Sequence, residues 1–291
     1  MDISNLQAFI AVATTGSFSR AAEQLCLTQP AVSKRITSLE EQLGARLFDR
    51  IGRRITLTEA GHTLRPRAEH ILAEMEDSRR AIANLNQTIA GRLSIGTSHH
   101  IGLHRLPPVL RTFSSAHPGV ELDLHFMDSE AACRAVEQGE LELGIVTLPP
   151  NPSSILHTLP VWDDPLDIVV SHDHPLAAKK QPGIADLARH TAILPARGTY
   201  TRELLEQAIT PLNINLRVGL STNYLETIKM MVSVGLGWSI LPRTMVDKDI
   251  CTLAIPGFQL QRTLGVINHT TRTQSNAARA LVEQLLTQKN Q

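Results

Sequence analysis

Hydrogen-bonding side chains recur along one face of a short stretch near the N-terminus. Residues 28–37 read TQPAVSKRIT, and helical spacing places Gln29, Ser33 and Lys34 opposite the apolar Val32 and Ile36. Amide, hydroxyl and ammonium groups can bond to base edges and phosphates. A helix that buries one side and presents these groups on the other therefore suits the major groove of DNA. The predicted reading face consists of Gln29, Pro30, Ser33, Lys34 and Thr37.

Two shorter helices are predicted to position this one. Apolar residues recur at helical spacing from Ile3 to Ala13, and Ser17 and Thr28 are predicted to cap the second and third helices. Arg20 points outward from the second helix, and Ser17, Arg20 and Thr28 are predicted to contact DNA as well. The adjacent alanines 21 and 22 let the helices cross closely. This arrangement is typical of a helix-turn-helix. Periodicity alone also allows an ordinary amphipathic helix pair with a solvated basic face.

The next segment predicts a two-stranded hairpin, or wing, around Ile51-Gly52-Arg53. Residues 20–54 hold seven basic and four acidic side chains, although the whole chain has 28 of each. The local excess supports binding to phosphates. Arg50, Arg53 and Arg54 are predicted to contact the DNA backbone or a minor groove.

The order of these residues resembles one family. The run SFSRAAEQLCLTQPAVSKRITSLEEQLGARLFDR, followed by TLTEAG, is similar to the N-terminal domain of LysR-type transcriptional regulators at nearly every patterned position. The resemblance implies an α/β protein with an N-terminal winged helix-turn-helix (residues 1–58), a long dimerisation linker helix (59–90) and a C-terminal two-lobed, periplasmic-binding-protein-like domain (91–291).

A long helix is predicted from Glu59 to about Ile89, with Pro66 as a bend. Its apolar residues alternate in steps of four and three, which is a heptad seam that favours pairing with a second helix. Ser78 interrupts the seam, and packing of the helix on its own domain is the alternative. The LysR resemblance also implies dimerisation through this helix. The seam consists of Leu64, Ala68, Ile71, Met75, Ile82, Leu85 and Ile89.

The C-terminal two-thirds alternates strand and helix patterns, which indicates a mixed α/β domain. The resemblance implies two lobes with an effector in the cleft between them. Lobe I is predicted at about 91–161 with 268–291, and lobe II at about 162–267. The crossovers are predicted near 160–163 and 265–268.

Polar turns predict the effector site. The strand RLSIGTS ends in hydroxyl groups at the start of a helix, where backbone N–H groups can bind a small polar or anionic molecule. Capping of helices by the same hydroxyl groups is the alternative. The candidate effector residues are Thr97, Ser98, His99, His100 and Thr147 from the first lobe, and Thr199, Tyr200, Arg202, Thr222 and Asn223 from the second.

The spacing of the candidate residues gives little support to a catalytic, dinucleotide-binding or metal-binding site. No Ser-His-Asp or Cys-His arrangement can be assembled, and the GxG of VGLGWSILP lacks the helix that a dinucleotide site needs. His99-His100 lacks a third metal ligand at useful spacing, so we expect no metal and no cofactor. Cys26, in the turn between two helices, is predicted to be a small core residue, with redox sensing as a minor alternative.

These patterns predict a regulator rather than an enzyme. The three cysteines show no disulfide or metal spacing and the N-terminus lacks a secretory signal, so a cytoplasmic location without a membrane role is expected. The expected partners are double-stranded DNA, a small polar or anionic effector and further copies of the chain as a homodimer or homotetramer; RNA polymerase is a further candidate. The alternatives are an enzyme with a DNA-binding head and an architectural DNA-binding protein.

Overall fold

The computed structural model describes residues 1–51, 54–86 and 88–288. Contacts between Cα atoms divide the chain into two units, residues 1–86 with 138–140, and residues 87–137 with 141–291. Each unit has hydrophobic clusters of its own.

The first unit begins with three helices, α1 (Ile3–Thr15), α2 (Phe18–Gln24) and α3 (Gln29–Leu43). Gly16 and Gly44 end α1 and α3 in the left-handed conformation, with φ of 62° and 63°, where a side chain would be strained. The helices enclose an apolar core that includes Leu6, Phe9 and Val32. The predicted helix-turn-helix is confirmed.

Cys26 was predicted to be a core residue, and that prediction is wrong. It lies in the turn between α2 and α3 with φ of 53°, and its side chain is exposed. The left-handed backbone turns the thiol away from the packed side of the helices, where Ala21 and Ala22 are buried instead.

Strands β1 (Phe48–Ile51) and β2 (Arg54–Leu57) pair antiparallel and form the predicted wing. The tip, Gly52 and Arg53, lies outside the described residues. Helix α4 (Glu59–Asn84) follows, with Thr58 as its N-cap and Pro66 inside it. The helix ends about five residues earlier than predicted, because the N–H of Leu85 bonds to the carbonyl of Ile82 in a tighter turn. Ile89 packs in a core of the second unit instead.

The second unit begins with the elements β3 (Gly91–Thr97), α5 (His99–His104), α6 (Leu106–Ala116), β4 (Val120–Phe126), α7 (Ser129–Gln138), β5 (Leu143–Thr147) and β6 (Leu156–Val170). It continues with α8 (Ile184–Leu187), β7 (Ala192–Leu194), α9 (Tyr200–Ile209), β8 (Val218–Ser221), α10 (Leu225–Ser233), β9 (Ser239–Pro242), β10 (Cys251–Leu253), β11 (Leu260–His269) and α11 (Asn276–Gln288). Short 3-10 turns lie at Thr210–Leu212 and Arg243–Met245.

The main sheet of this unit has the strand order β10-β6-β11-β5-β3-β4, with β9 also paired to β6. Strand β3 runs parallel to β4 and β5, whereas β11 is antiparallel to β5 and β6. Strands β7 and β8 form a separate parallel pair.

Separate hydrophobic cores divide this unit into two lobes. Lobe I packs α5, α6 and α11 on β3 and β5, and lobe II packs α8 and α9 around β7 and Trp238. The long strands β6 and β11 contribute to both. On β6, Val161 belongs to lobe I and Leu166 to lobe II, so the chain crosses between them.

On β11 the crossing lies between Leu260, in lobe II, and Leu264, in lobe I. The sequence prediction of 265–268 is therefore several residues late. Residues Leu264–Asn268 already pair with β5 of lobe I. Gly265 sits at a register shift of β11, where an added Cβ atom would clash with the carbonyl oxygen of Leu159.

Candidate DNA-binding face and effector cavity

The exposed side of α3 forms a shallow groove in the first unit. Its lining includes all five residues of the predicted reading face, with Ser38 and Glu41 beside them. Val32, Ile36 and Leu39 are buried on the opposite side of the helix, so packing fixes which side chains reach solvent. The groove is lined by Gln29, Pro30, Ser33, Lys34, Thr37, Ser38 and Glu41.

The other predicted DNA-contacting residues lie around this face or outside the described side chains. Ser17 and Thr28 accept hydrogen bonds from the backbone N–H groups of Arg20 and Ala31, so both act as helix caps. The guanidinium of Arg20 donates to the carbonyl of Thr15. Arg53 and the side chains of Arg50 and Arg54 lie outside the described part of the structure.

The predicted heptad seam of α4 has two different environments. Ala68 is fully buried and Leu64 is partly buried, and both pack on the helix-turn-helix core. Further along, Ile82 is 68% exposed and Leu85, at the C-cap, is 80% exposed. The first part of the seam therefore belongs to its own domain, and the later part presents apolar side chains to solvent.

A polar cavity of about 50 Å³ lies between the two lobes of the second unit. The lining mixes hydroxyl, amide and charged side chains with two apolar residues. It comprises Ser98, His100, Asp128, Ser129, Glu130, Thr147, Pro195, Thr199, Thr201, Asn223, Leu225 and Arg262.

Hydrogen bonds join the lobes at the start of α7. Nδ2 of Asn223, from lobe II, donates to Oδ2 of Asp128, from lobe I, at 2.7 Å. The backbone N–H of Tyr200 donates to Oε1 of Glu130 across the same boundary. Burial raises the pKa of the Glu130 carboxyl above its usual value, although the Tyr200 N–H acts in the opposite direction.

A buried ion pair forms the base of the cavity. Nε of Arg262 lies 2.7 Å from Oδ2 of Asp164, and the same guanidinium donates to the hydroxyl of Thr201 at 2.8 Å. Arg105 approaches the other carboxylate oxygen at 3.5 Å. The carboxylate of Asp164, which Arg105 also approaches, therefore offsets part of the positive charge of Arg262 where it meets the cavity.

Half of the predicted effector residues line this cavity, namely Ser98, His100, Thr147, Thr199 and Asn223. Two of them have structural hydrogen bonds as well. Ser98 caps α5 by accepting from the N–H of Ile101, and Thr199 caps α9 by accepting from the N–H of Arg202. These two hydroxyls therefore have the capping role that the sequence left as the alternative, and they also line the cavity.

The other predicted effector residues lie outside the cavity lining for identifiable reasons. Thr97 is fully buried and donates to the carbonyl of Ile145. His99 packs against Phe126 and Tyr224. Arg202 is 3% exposed and pairs with Glu206 at 2.7 Å, so the cation at the cavity is Arg262 instead. Tyr200 and Thr222 are also absent from the lining of this cavity.

Tyr200 lies in a second depression and contacts a buried thiol. It lines a groove with Pro149, Pro150 and Gln207. Burial raises the pKa of the Cys133 thiol to about 11, although its hydrogen bond with Tyr200 acts in the opposite direction. Burial also raises the pKa of the Tyr200 hydroxyl. Both groups are therefore neutral near pH 7.

Comparisons with known proteins identify the family. Residues 3–62 match the bacterial regulatory helix-turn-helix proteins of the lysR family, and residues 86–290 match the LysR substrate binding domain. The chain belongs to the LysR family of transcriptional regulators. A probable RuBisCO transcriptional regulator of Trichormus variabilis is 32% identical over 297 residues, which cover 98% of this chain and 88% of the relative. An HTH-type regulator of Azotobacter vinelandii is 67% identical over 108 residues, covering 37% of this chain and 75% of the relative.

Solved structures of LysR-family proteins share the fold. Full-length CbnR in complex with its target DNA has a TM-score of 0.66 at 22% identity, covering 99% of this chain and 100% of that one. The effector binding domain of QuiR in complex with shikimate has a TM-score of 0.63 at 20% identity, covering 69% of this chain and 98% of that one. This LysR-family regulator therefore combines a DNA-binding helix-turn-helix with an effector-binding domain, as the sequence predicted.

Several residues that line the cavity of the regulator were not predicted from its sequence. Asp128, Ser129 and Glu130 lie shortly after strand β4, which ends at Phe126, while Ser98 follows β3 and Thr147 ends β5. Because β3 is parallel to both neighbours, the carboxyl ends of these strands meet at one edge of the sheet. That rule could have found the three residues. Thr201 and Arg262 carry no comparable signal.

Among the described residues of the regulator, no helix has the length and apolar character needed to cross a lipid bilayer.

Proposed function

We propose that this LysR-family regulator recognises operator DNA through the exposed face of α3, with the wing beside it. The supporting observation is the groove that brings Gln29, Ser33 and Lys34 to one surface. Gln29 is exposed at the first position of α3, and an amide there can pair with adenine. Lys34 and the wing arginines supply contacts to phosphates.

The proposed active form is a dimer paired through the later part of the α4 seam. Ile82 and Leu85 are large apolar side chains left in solvent on one side of a helix, and a partner helix would bury them. A tetramer, formed by further pairing of C-terminal units, stays an expectation of the family. We expect the regulator in the cytoplasm, where it meets DNA.

The proposed effector is a small polar molecule held in the cavity between the lobes. Hydroxyl groups of Ser129, Thr147 and Thr199 and the amide of Asn223 offer both donors and acceptors. The charges favour a neutral, hydroxyl-bearing compound over a simple anion, because Arg262 is paired with Asp164 while Asp128 and Glu130 add carboxylates. The single observation that carries this proposal is the convergence of these polar groups from both lobes.

The effector would act by favouring one arrangement of the lobes over another. Both the Asn223–Asp128 and the Tyr200–Glu130 hydrogen bonds cross the lobe boundary beside the cavity. A ligand that bonds to the same groups changes the balance between closed and open arrangements. The affinity of the protein for its operator then changes only as far as the closed and open arrangements bind the operator with different affinities.

The experiment is calorimetry on the full-length protein with a panel of small neutral polyols, and with shikimate and other hydroxy acids as the anionic compounds for comparison. Shikimate is included because the QuiR domain of the same fold binds it. Any compound that binds the wild type is then titrated into Thr147→Ala and Thr199→Ala, with Thr112→Ala on the exposed side of α6 as the control. We expect weaker binding by the two cavity variants and no change in the control.

Two outcomes would point to other functions. If NMR shows that the bound compound is converted to a product, the enzyme alternative holds. If no compound of the panel binds, or if both cavity variants bind as tightly as the control, the cavity is not the effector site. An architectural protein would bind operator DNA with the same affinity with and without each compound.

A further inference from the structure

Two histidines of α5 stand one turn apart on the same side of the helix. His100 and His104 are separated by four residues, and their ring centroids lie 4.8 Å apart. The sequence shows the two imidazoles but no third ligand nearby, which is why the residues alone predict no metal site.

The fold supplies a third group from the other lobe. Glu226 lies in the first turn of α10, in lobe II. Its Oε1 is 3.1 Å from Nε2 of His104 and 3.7 Å from Nδ1 of His100. Potential ligand atoms of all three residues lie within 4.8 Å of one another, although 122 positions separate His104 from Glu226 in the chain.

His100 is a buried polar side chain whose hydrogen-bonding capacity is unused. It is 3% exposed, and neither ring nitrogen has a hydrogen-bond partner among the described residues. Leaving such a group unpaired in the interior is unfavourable. Its Nδ1 lies 3.7 Å from Oε1 of Glu226, beyond hydrogen-bond distance, and a metal ion bonded to both atoms at about 2.1 Å can bridge a separation of that size.

We propose that His100, His104 and Glu226 form a binding site for a divalent transition metal ion, with Zn²⁺ as the best match. Two imidazoles and one carboxylate are a ligand set that Zn²⁺ uses, with bonds of about 2.0–2.2 Å and a fourth position left open. Mg²⁺ and Ca²⁺ prefer sets made only of oxygen atoms. The carboxylate of Asp164 offsets part of the positive charge of Arg262 nearby.

Metal binding would join the two lobes. Ligand atoms of a tetrahedral ion at about 2.1 Å lie roughly 3.4 Å apart, and the two distances from the α5 histidines to Glu226 on α10, 3.7 and 3.1 Å, are already close to that spacing. An ion bound here therefore links α5 to α10 at the rim of the effector cavity, where His100 is a lining residue. The site stabilises the closed arrangement of the lobes, whichever effector the cavity takes.

The test is calorimetric titration of ZnCl₂ into full-length protein freed of metal with a chelator. The wild type should bind one ion per chain at this site. His104→Gln and Glu226→Gln should each weaken that binding by roughly 100-fold, at least as much as the loss of a supporting residue around a metal. His104 is 44% exposed and Glu226 36% exposed, so both variants can be expected to fold.

The matched control is His125→Gln. His125 is also half-exposed and lies 2.8 Å from a carboxylate, that of Asp123, but it is not part of a three-ligand cluster among the described residues. Its variant should bind Zn²⁺ like the wild type. Bound Co²⁺ gives a second readout, because its visible absorption should show mixed nitrogen and oxygen ligands in the wild type and should change in both test variants.

Two results would overturn the proposal. One is the absence of Zn²⁺ binding at micromolar concentration. The other is unchanged affinity and an unchanged Co²⁺ spectrum in both test variants, which would place the ion on other histidines. Neither result bears on the effector proposal, which is tested separately through Thr147 and Thr199.

Discussion

Asp164 and Arg262 form an ion pair at the boundary between the lobes, with 2.7 Å between Oδ2 and Nε. The two residues are directly paired in the register of β6 and β11, the strands that pass through both lobes. Asp164 is fully buried and Arg262 is 9% exposed. The pair therefore fixes the guanidinium that lines the cavity and also joins the two crossover points.

We expect Asp164→Ala to destabilise the second unit strongly. Removing one partner leaves the other charge buried without compensation, which costs about 3–5 kcal/mol in comparable buried pairs. The free energy of unfolding from denaturant titration measures the change. Asp163→Ala is the control, because that neighbouring side chain is exposed and should change stability by less than about 0.5 kcal/mol. Equal effects of the two substitutions would contradict the role given to the pair.

Gln29→Ala should weaken binding to the operator and relax base preference at one position. Loss of a paired amide contact to a base costs roughly 1–3 kcal/mol. Binding-shift assays on the operator and on single-base variants measure this. Lys34→Ala should instead weaken binding to all sequences alike and reduce the salt dependence, and Gln42→Ala, at the far end of α3, should have no effect. Unchanged base preference in Gln29→Ala would exclude that residue from the reading face.

Burial of the Glu130 carboxyl should make the free energy of unfolding depend on pH. Burial raises its pKa in the folded state above the usual value of 4.5, so the folded protein holds this proton more tightly than the unfolded chain does. The contribution of Glu130 to the free energy of unfolding is greatest below pH 4.5 and falls as the pH rises through the folded-state pKa. We expect Glu130→Gln to be more stable than the wild type at pH 7, with a smaller difference at pH 4. Thermal unfolding at pH 7 and at pH 4 measures the difference in stability between the variant and the wild type. A difference that is larger at pH 4 than at pH 7 would contradict the raised pKa of Glu130.

Local patterns in the sequence were sufficient to predict the helices and strands of the first unit. Helix caps such as Ser17 and Thr28, the buried stripe of α3 and the paired strands of the wing all depend on neighbouring residues, and the structure has each of them. Cys26 was misplaced because only its backbone conformation decides which way the thiol points.

The cavity depends on residues that the chain brings together from far apart. Ser98 and Thr147 could be predicted because they lie at the ends of parallel strands. Nothing in the sequence distinguishes Arg262, which lines the cavity, from Arg202, which does not. Arg202 is occupied by Glu206 one turn along its own helix, and Arg262 reaches the cavity because β11 places it opposite Asp164. Glu226 joins the histidine pair for the same non-local reason.

The cysteines should differ in reactivity towards alkylating reagents. The thiolate is the reactive form, and burial raises the pKa of Cys133 to about 11, so little thiolate forms at pH 8. Cys26 is exposed. Mass spectrometry after brief treatment of native protein with iodoacetamide should find Cys26 modified and Cys133 unmodified, while all three cysteines react after denaturation. Modification of native Cys133 as fast as Cys26 would show that the burial described for Cys133 does not hold in solution.

Ile82→Lys should separate the proposed dimer and weaken operator binding. Ile82 is 68% exposed in a single chain, so a lysine there is harmless to the monomer but places a charge in the seam between two α4 helices. Ala83→Lys is the matched control, because position 83 is also exposed and lies about 100° further round the helix. Sedimentation should find monomers for Ile82→Lys and dimers for Ala83→Lys. Circular dichroism should find the same helix content in both. If Ile82→Lys sedimented as a dimer and bound the operator like the control, pairing through this seam would be excluded.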